Sequence, residues 1–105
     1  MASYITIVKD DVVQRIDALQ KFRAEIPSVD IGQDSEFQKV FRESQMLLEL
    51  SDQQIADALL VSRPTVNRWV RGKNLPHQGM RKPIIRWINQ QLSQKLKLLQ
   101  GNTHL

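Results

Sequence analysis

A chain of 105 residues can build one modest core, with room for an added arm, and its +4 net charge gives only a weak bias toward anionic partners. The absence of cysteine excludes disulfides and thiolate zinc sites and suits a reducing compartment. No apolar run approaches the length that spans a bilayer, and the amino terminus lacks a charged-then-apolar signal pattern, so a cytoplasmic protein is expected.

Ser3 to Val8, SYITIV, is rich in β-branched and aromatic residues and is bounded by Lys9, Asp10 and Asp11, which predicts one short strand. A lone strand in an otherwise helical sequence leaves backbone groups unpaired. Either it pairs with the same strand of a second copy, making Tyr4, Ile5 and Ile7 dimerisation candidates, or the terminus is loosely docked. From Asp10 a helix is predicted to about Glu25, capped by Asp10 or Asp11. Val12, Ile16, Leu19, Phe22 and Ile26 recur there at helical spacing, and Pro27 stops it. Ser28 to Asp34, with Gly32 in its middle, reads as a linker. Residues 1–34 thus form a strand-helix extension, either packed on the remainder or used to bind a partner.

Ser35 and Gln38 have capping-box spacing, so the next helix is predicted over about Glu36 to Glu49. Phe37, Val40, Phe41, Met46, Leu47, Leu48 and Leu50 give it a broad apolar face. Ser51 and Gln54 repeat the box and start a further helix at about Asp52, with Ile55, Ala56 and Leu59 inward. Ser62 is the next N-cap, Arg63 and Pro64 occupy a first turn where proline costs nothing, and Val66, Trp69 and Val70 face the core. Gly72 stands where a left-handed C-terminal cap is wanted. Two facing helices of roughly eight residues with a tight turn between them make a helix-turn-helix. Outside its apolar stripe the second helix carries Arg63, Thr65, Asn67, Arg68 and Arg71, all donors and none acidic. A plain solvated surface is the alternative use of such a face.

At these residues the chain resembles the Cro-like, xenobiotic-response-element (XRE) family of helix-turn-helix DNA-binding domains. The pattern is Ile55-Ala56, then Val61-Ser62-Arg63-x-Thr65-Val66-x-Arg68-Trp69-x-Arg71-Gly72, with Pro76 following, and the resemblance covers about Ser35 to Leu92. It implies an all-α, Cro/lambda-repressor-like domain over residues 35–100 that binds double-stranded DNA. Leu60 stands in the turn where the family often has glycine, so a non-glycine must adopt or avoid a left-handed conformation. Asp52 stands where related domains often place a neutral or basic side chain near phosphate.

A helix fits the major groove, and residues near its amino-terminal end reach base edges. Arg63 and Arg68 have the geometry for bidentate contact with guanine, Thr65 for a hydrogen bond or a thymine methyl, and Pro64 for apolar contact only. Asn67 suits adenine or a phosphate. The resemblance singles out Arg63, Pro64, Thr65 and Arg68 as base contacts. Arg71, Lys73 and Asn74 are the expected phosphate clamps, with Gln53 and Gln54 at the end of the preceding helix. Trp69 shares a face with Val66 and Val70 and is expected in the core.

Lys73 to Gly79 reads as a loop, and a final helix is predicted from about Arg81, with Pro83 tolerated near its start. Ile84, Ile85 and Ile88 should complete the core with Trp69 and Trp87. Leu92, Leu96 and Leu99 fall beyond the length of a compact domain and would be exposed in a monomer, forming either a dimer seam or a frayed tail. Residues 101–105 read as a tail. Charge is unevenly spread: −2 over residues 1–34, −3 over 35–62 and +9 over 63–105, where no acid occurs. The basic stretch starts at the first residue of the predicted recognition helix, where a phosphate-facing surface should begin.

His77 and His104 have no partner at metal-ligand spacing, and there is neither a glycine-rich phosphate loop nor a nucleophile elbow. No catalytic residue, metal or cofactor is therefore expected. The expected function is that of a dimeric, nucleoid-associated bacterial or phage transcriptional regulator. It would read a palindromic operator through helix 62–71, with half-sites about one DNA turn apart. Repression is expected over activation, since occlusion requires binding alone. The alternative is an antitoxin or antiactivator whose residues 1–34 grip a partner protein.

Overall fold

The protein is described by a computed structural model, covering the backbone of residues 2–102 and the side chains of residues 11–101. Five helices follow in order: α1 (Ala2–Glu25), α2 (Asp34–Leu48), α3 (Asp52–Leu59), α4 (Arg63–Val70) and α5 (Gln78–Asn102), with a 3-10 turn at Ile26–Ser28. No strand occurs among the described residues.

The expected strand over residues 3–8 is instead the first part of α1, so the amino-terminal extension is helix without a strand. β-branched preference is worth only ~1 kcal/mol and yields to context. A strand without a neighbour leaves its amides unpaired, whereas a helix pairs them within itself. Asp10 and Asp11 consequently lie inside α1 and do not cap it. The side chains of Tyr4, Ile5 and Ile7 lie outside the described residues.

α2 starts at Asp34, and Gln33 in the cap position makes no side-chain cap bond, so Ser35 sits in the first turn instead of capping it. Phe37, Val40, Phe41 and Leu48 are buried, whereas Met46, expected on the same face, is 69% exposed. α3 and α4 begin where their local signals place them. The Ser51 hydroxyl accepts from the Gln54 amide N–H at 3.1 Å, and the Gln54 side-chain oxygen accepts from the Ser51 N–H at 2.8 Å. The Ser62 hydroxyl accepts from the Thr65 N–H at 3.2 Å.

α2, α3 and α4 end in one way. A residue at positive φ follows α2 and α3 directly (Glu49 at 57°, Leu60 at 59°) and α4 after Arg71 (Gly72 at 76°). The next amide then bonds back five residues: Leu50 to Gln45, Val61 to Ala56 and Lys73 to Arg68. This left-handed closure satisfies carbonyls that the helix end would orphan. Leu60 does adopt the conformation that favours glycine, and at 90% exposure its side chain gains no packing in return.

α3 packs on α4, α2 packs on both α4 and α5, and α1 lies along α5. α5 starts beside the loop after α1, where Arg81 reaches Ile31, and runs back along α1 until Gln20 and Gln100 line one groove. Leu92, Leu96 and Leu99 are therefore covered within the single chain, at 0%, 5% and 7% exposure. These three leucines therefore offer no spare apolar surface, because α1 lies over them. Leu19, Phe22 and Ile26 of the amino-terminal segment join Ile55, Val66 and Ile88 in one core. Helices α1 and α5, of 24 and 25 residues, are each about 36 Å long at ~1.5 Å per residue, and the molecule extends 50 Å along its long axis.

Arg81, counted in the sequence with the basic surface, is instead 4% exposed. Its guanidinium donates to the carbonyls of Pro76, Ile31 and Gly32 at 3.0, 2.9 and 3.1 Å and to the Asp34 carboxylate at 2.7 Å. It also lies 5.2 Å from the centre of the Phe37 ring. One side chain thus joins the loop before α2 to the loop before α5.

Candidate nucleic-acid interface

α4 is held from behind. Val66 and Trp69 are buried, Trp69 meets Phe41 edge-on at 5.8 Å, and Phe41 stacks on Phe37 at 5.9 Å. At the far end of α4 the Gln38 side-chain amide donates to the Val70 carbonyl at 3.0 Å. A Cβ at Gly72 would stand 3.0 Å from that same amide, so glycine there serves both the positive φ and the close approach of α2. Trp69 accordingly serves as core and has no free face for a base.

The opposite face of α4 is open. Arg63, Asn67 and Arg71 stand four residues apart in one row, Pro64 and Arg68 form the next row, and all five are exposed. Among the described residues, the ion pairs lie elsewhere: Arg15 and Lys95 approach Glu49 at 3.1 and 3.5 Å, and Arg81 pairs with Asp34. Arg63, Arg68, Arg71 and Lys73 therefore point three guanidinium groups and one ammonium at solvent with no carboxylate neutralising them. Thr65 is half-buried, and its hydroxyl lies 2.7 Å from that of Ser62, so the capping bond already uses part of its capacity.

The flanking candidates are arranged around this face. Lys73 and Asn74 are exposed in the loop beyond α4, with Asn74 at φ 50°. Gln53 and Gln54 are exposed at the start of α3. There Gln53 donates to Asp57 at 2.8 Å, and the Gln54 oxygen is held in the capping box. Leu92, Leu96 and Leu99 lie in the core, away from any such surface.

One acid does reach the open face. The Asp52 carboxylate, in the first turn of α3, accepts from the Gln45 side-chain amide at 2.6 Å and from the Asn67 side-chain amide at 3.1 Å. Three helices meet at this carboxylate, and both of its oxygens are engaged. In the sequence Asp52 stands out only as a departure from the family that the chain resembles, and the fifteen residues separating it from Asn67 hide the bond.

His77 is exposed, and its Nδ1 accepts from the Gly79 N–H at 3.3 Å, a local bond at the start of α5. No helix among the described residues is long and apolar enough to cross a membrane. Compared with protein-family models, curated proteins and solved structures, the chain matches none.

Proposed function

We propose that this chain is a sequence-specific, double-stranded DNA-binding transcriptional regulator of the Cro-like helix-turn-helix kind, acting as a dimeric repressor. The observation that carries the reading is the open face of α4, where three unpaired arginines and an asparagine project from a short helix braced by Trp69, Phe41 and Gln38. A braced helix is what direct readout needs, because bidentate contacts to base edges tolerate little play. Arg63 and Arg68 read bases, with Pro64, Thr65 and Asn67 beside them. Arg71, Lys73 and Asn74 hold phosphates, and Gln53 and Gln54 approach the backbone from the start of α3.

Dimerisation is part of the proposal because one eight-residue helix touches too few base pairs for tight specific binding. Its support no longer includes the leucines of α5. The antitoxin or antiactivator alternative has no specific observation behind it, since the described part of α1 is packed on α5.

Random-site selection on duplex DNA tests the reading, using the wild type beside the Arg63→Ala, Arg68→Ala double variant. A palindromic consensus that the double variant loses is the expected result. Absence of enrichment by the folded wild type at low salt would overturn it.

A further inference from the structure

The site described above contains an acid whose presence a phosphate-facing surface does not explain. Asp52 places a carboxylate at the edge of the open face of α4, where it repels DNA. Its two oxygens are nevertheless engaged by side chains from two other helices, Gln45 of α2 at 2.6 Å and Asn67 of α4 at 3.1 Å.

The chemistry of those two bonds is directional. An ionised carboxylate only accepts, so each amide must turn its NH2 group, and not its oxygen, toward Asp52. For Asn67 this settles which way the amide faces. One of its two N–H bonds is committed to Asp52, which leaves the carbonyl oxygen and the remaining N–H for another partner. Gln45 in turn holds the carboxylate from behind, on a helix already fixed to α4 through the Gln38–Val70 bond. Asn67 is exposed, so without Asp52 its amide turns freely between two orientations of opposite polarity.

An asparagine edge of one acceptor and one donor in fixed order matches adenine, which offers the N6 donor and the N7 acceptor in the major groove. We propose that Asp52 is a positioning residue that orients the Asn67 amide for adenine, with Gln45 holding it, so that specificity is gained at a cost in electrostatic attraction. This inference rests on the DNA-binding reading above and assigns Asn67 to a base and not to a phosphate.

The test is site selection followed by affinity measurements on single-base variants of the selected duplex, for the wild type, Asp52→Asn, Asp52→Ala, Asn67→Ala and the Asp52→Ala, Asn67→Ala double variant. Asp52→Asn keeps the side-chain shape, and thermal melting confirms that each variant compared is folded. In the wild type one position prefers adenine by about tenfold or more. In Asn67→Ala and in Asp52→Ala that preference falls to about twofold or less, and in Asp52→Asn, whose amide can turn either its oxygen or its NH2 to Asn67, it falls part of the way, while preferences at other positions stay within about twofold. The double variant is no less selective at that position than Asn67→Ala, as expected of two residues acting as a unit. Overall affinity of Asp52→Asn for random duplex rises, since a negative charge has gone, so affinity and selectivity move in opposite directions.

If the wild type selects a sequence but the Asp52 variants retain the adenine preference, or change affinity equally for every duplex, the positioning role is overturned and the DNA-binding reading stands. If Asn67→Ala alters no position, the assignment of Asn67 to a base falls in the same way. If the wild type selects nothing, the DNA-binding reading fails and this inference with it.

Discussion

Arg81 illustrates how little the type of a residue says about its use. By composition it belongs with the cations of the carboxy-terminal half, yet it donates four hydrogen bonds from a position almost closed to solvent. Three of its acceptors are backbone carbonyls in loops, where no helix or sheet ladder pairs them. Its ion-pair partner differs sharply in environment, since the Asp34 side chain is 74% exposed. The two ends of this salt bridge should therefore be unequal. Arg81→Met leaves the Pro76 and Ile31 carbonyls without their side-chain donor, while the Gly32 carbonyl keeps the Gln78 amide at 3.1 Å, and is expected to cost about 2–4 kcal/mol, the range for orphaning buried polar groups. Asp34→Asn leaves the guanidinium its carbonyl partners and is expected to cost ~1 kcal/mol or less, as for an exposed pair. Urea denaturation of both variants checks the ordering, and equal losses would place the strength of the site in the ion pair.

The helices differ in how much of themselves the sequence reveals, and the reason is the range over which each is decided. α3 and α4 are legible because Ser51, Gln54, Ser62, Pro64 and Gly72 act on neighbours three or four residues away. Their open face is legible for the same reason, since helical period assigns Arg63, Asn67, Arg68 and Arg71 to the side opposite Val66 and Trp69. Residues 3–8 mislead, because β-branched residues prefer strands only when a strand has a partner. Leu92, Leu96 and Leu99 mislead for the opposite reason. Their periodic pattern is correct, but what covers them is α1, more than 60 residues earlier in the chain. The Asp52–Asn67 bond likewise depends on how α3 and α4 cross. Placing these leucines inside the chain has a measurable consequence. Leu92→Ala empties a fully buried position and is expected to destabilise by about 2–5 kcal/mol. A dimer seam would make that loss depend on protein concentration, whereas an intrachain core makes the shift in denaturation midpoint the same over about a hundredfold range of concentration. A shift that grows on dilution would return these leucines to an interface.

At the scale of the whole molecule, the formal charge says less than where the charges are committed. Of the nine basic residues from Arg63 onward, Arg81 is consumed in the core and Lys95 turns to Glu49 on the side of the molecule where α1 meets α5. Arg63, Arg68, Arg71 and Lys73 remain together on α4 and the loop that follows it, none of them in an ion pair among the described residues. A concentrated cationic face on an otherwise mixed surface orients the molecule toward a polyanion before any specific contact forms. On the proposed reading this predicts a steep salt dependence, because each phosphate neutralised releases about 0.9 of a counterion. Arg71 and Lys73 alone supply two phosphate contacts in each half-site, so a dimer engaging about four phosphates through them loses affinity with a log–log slope of about −4 or steeper. Arg71→Ala removes one such contact per half-site and should make the slope shallower by about 2 for a dimer, or by about 1 for a monomer, with little change in sequence preference. The same titration therefore reports the number of copies on the DNA, through the slope change from a single substitution. A slope near zero in the wild type would show that this face does not bind a polyanion, and the arginines of α4 would then require a different kind of partner.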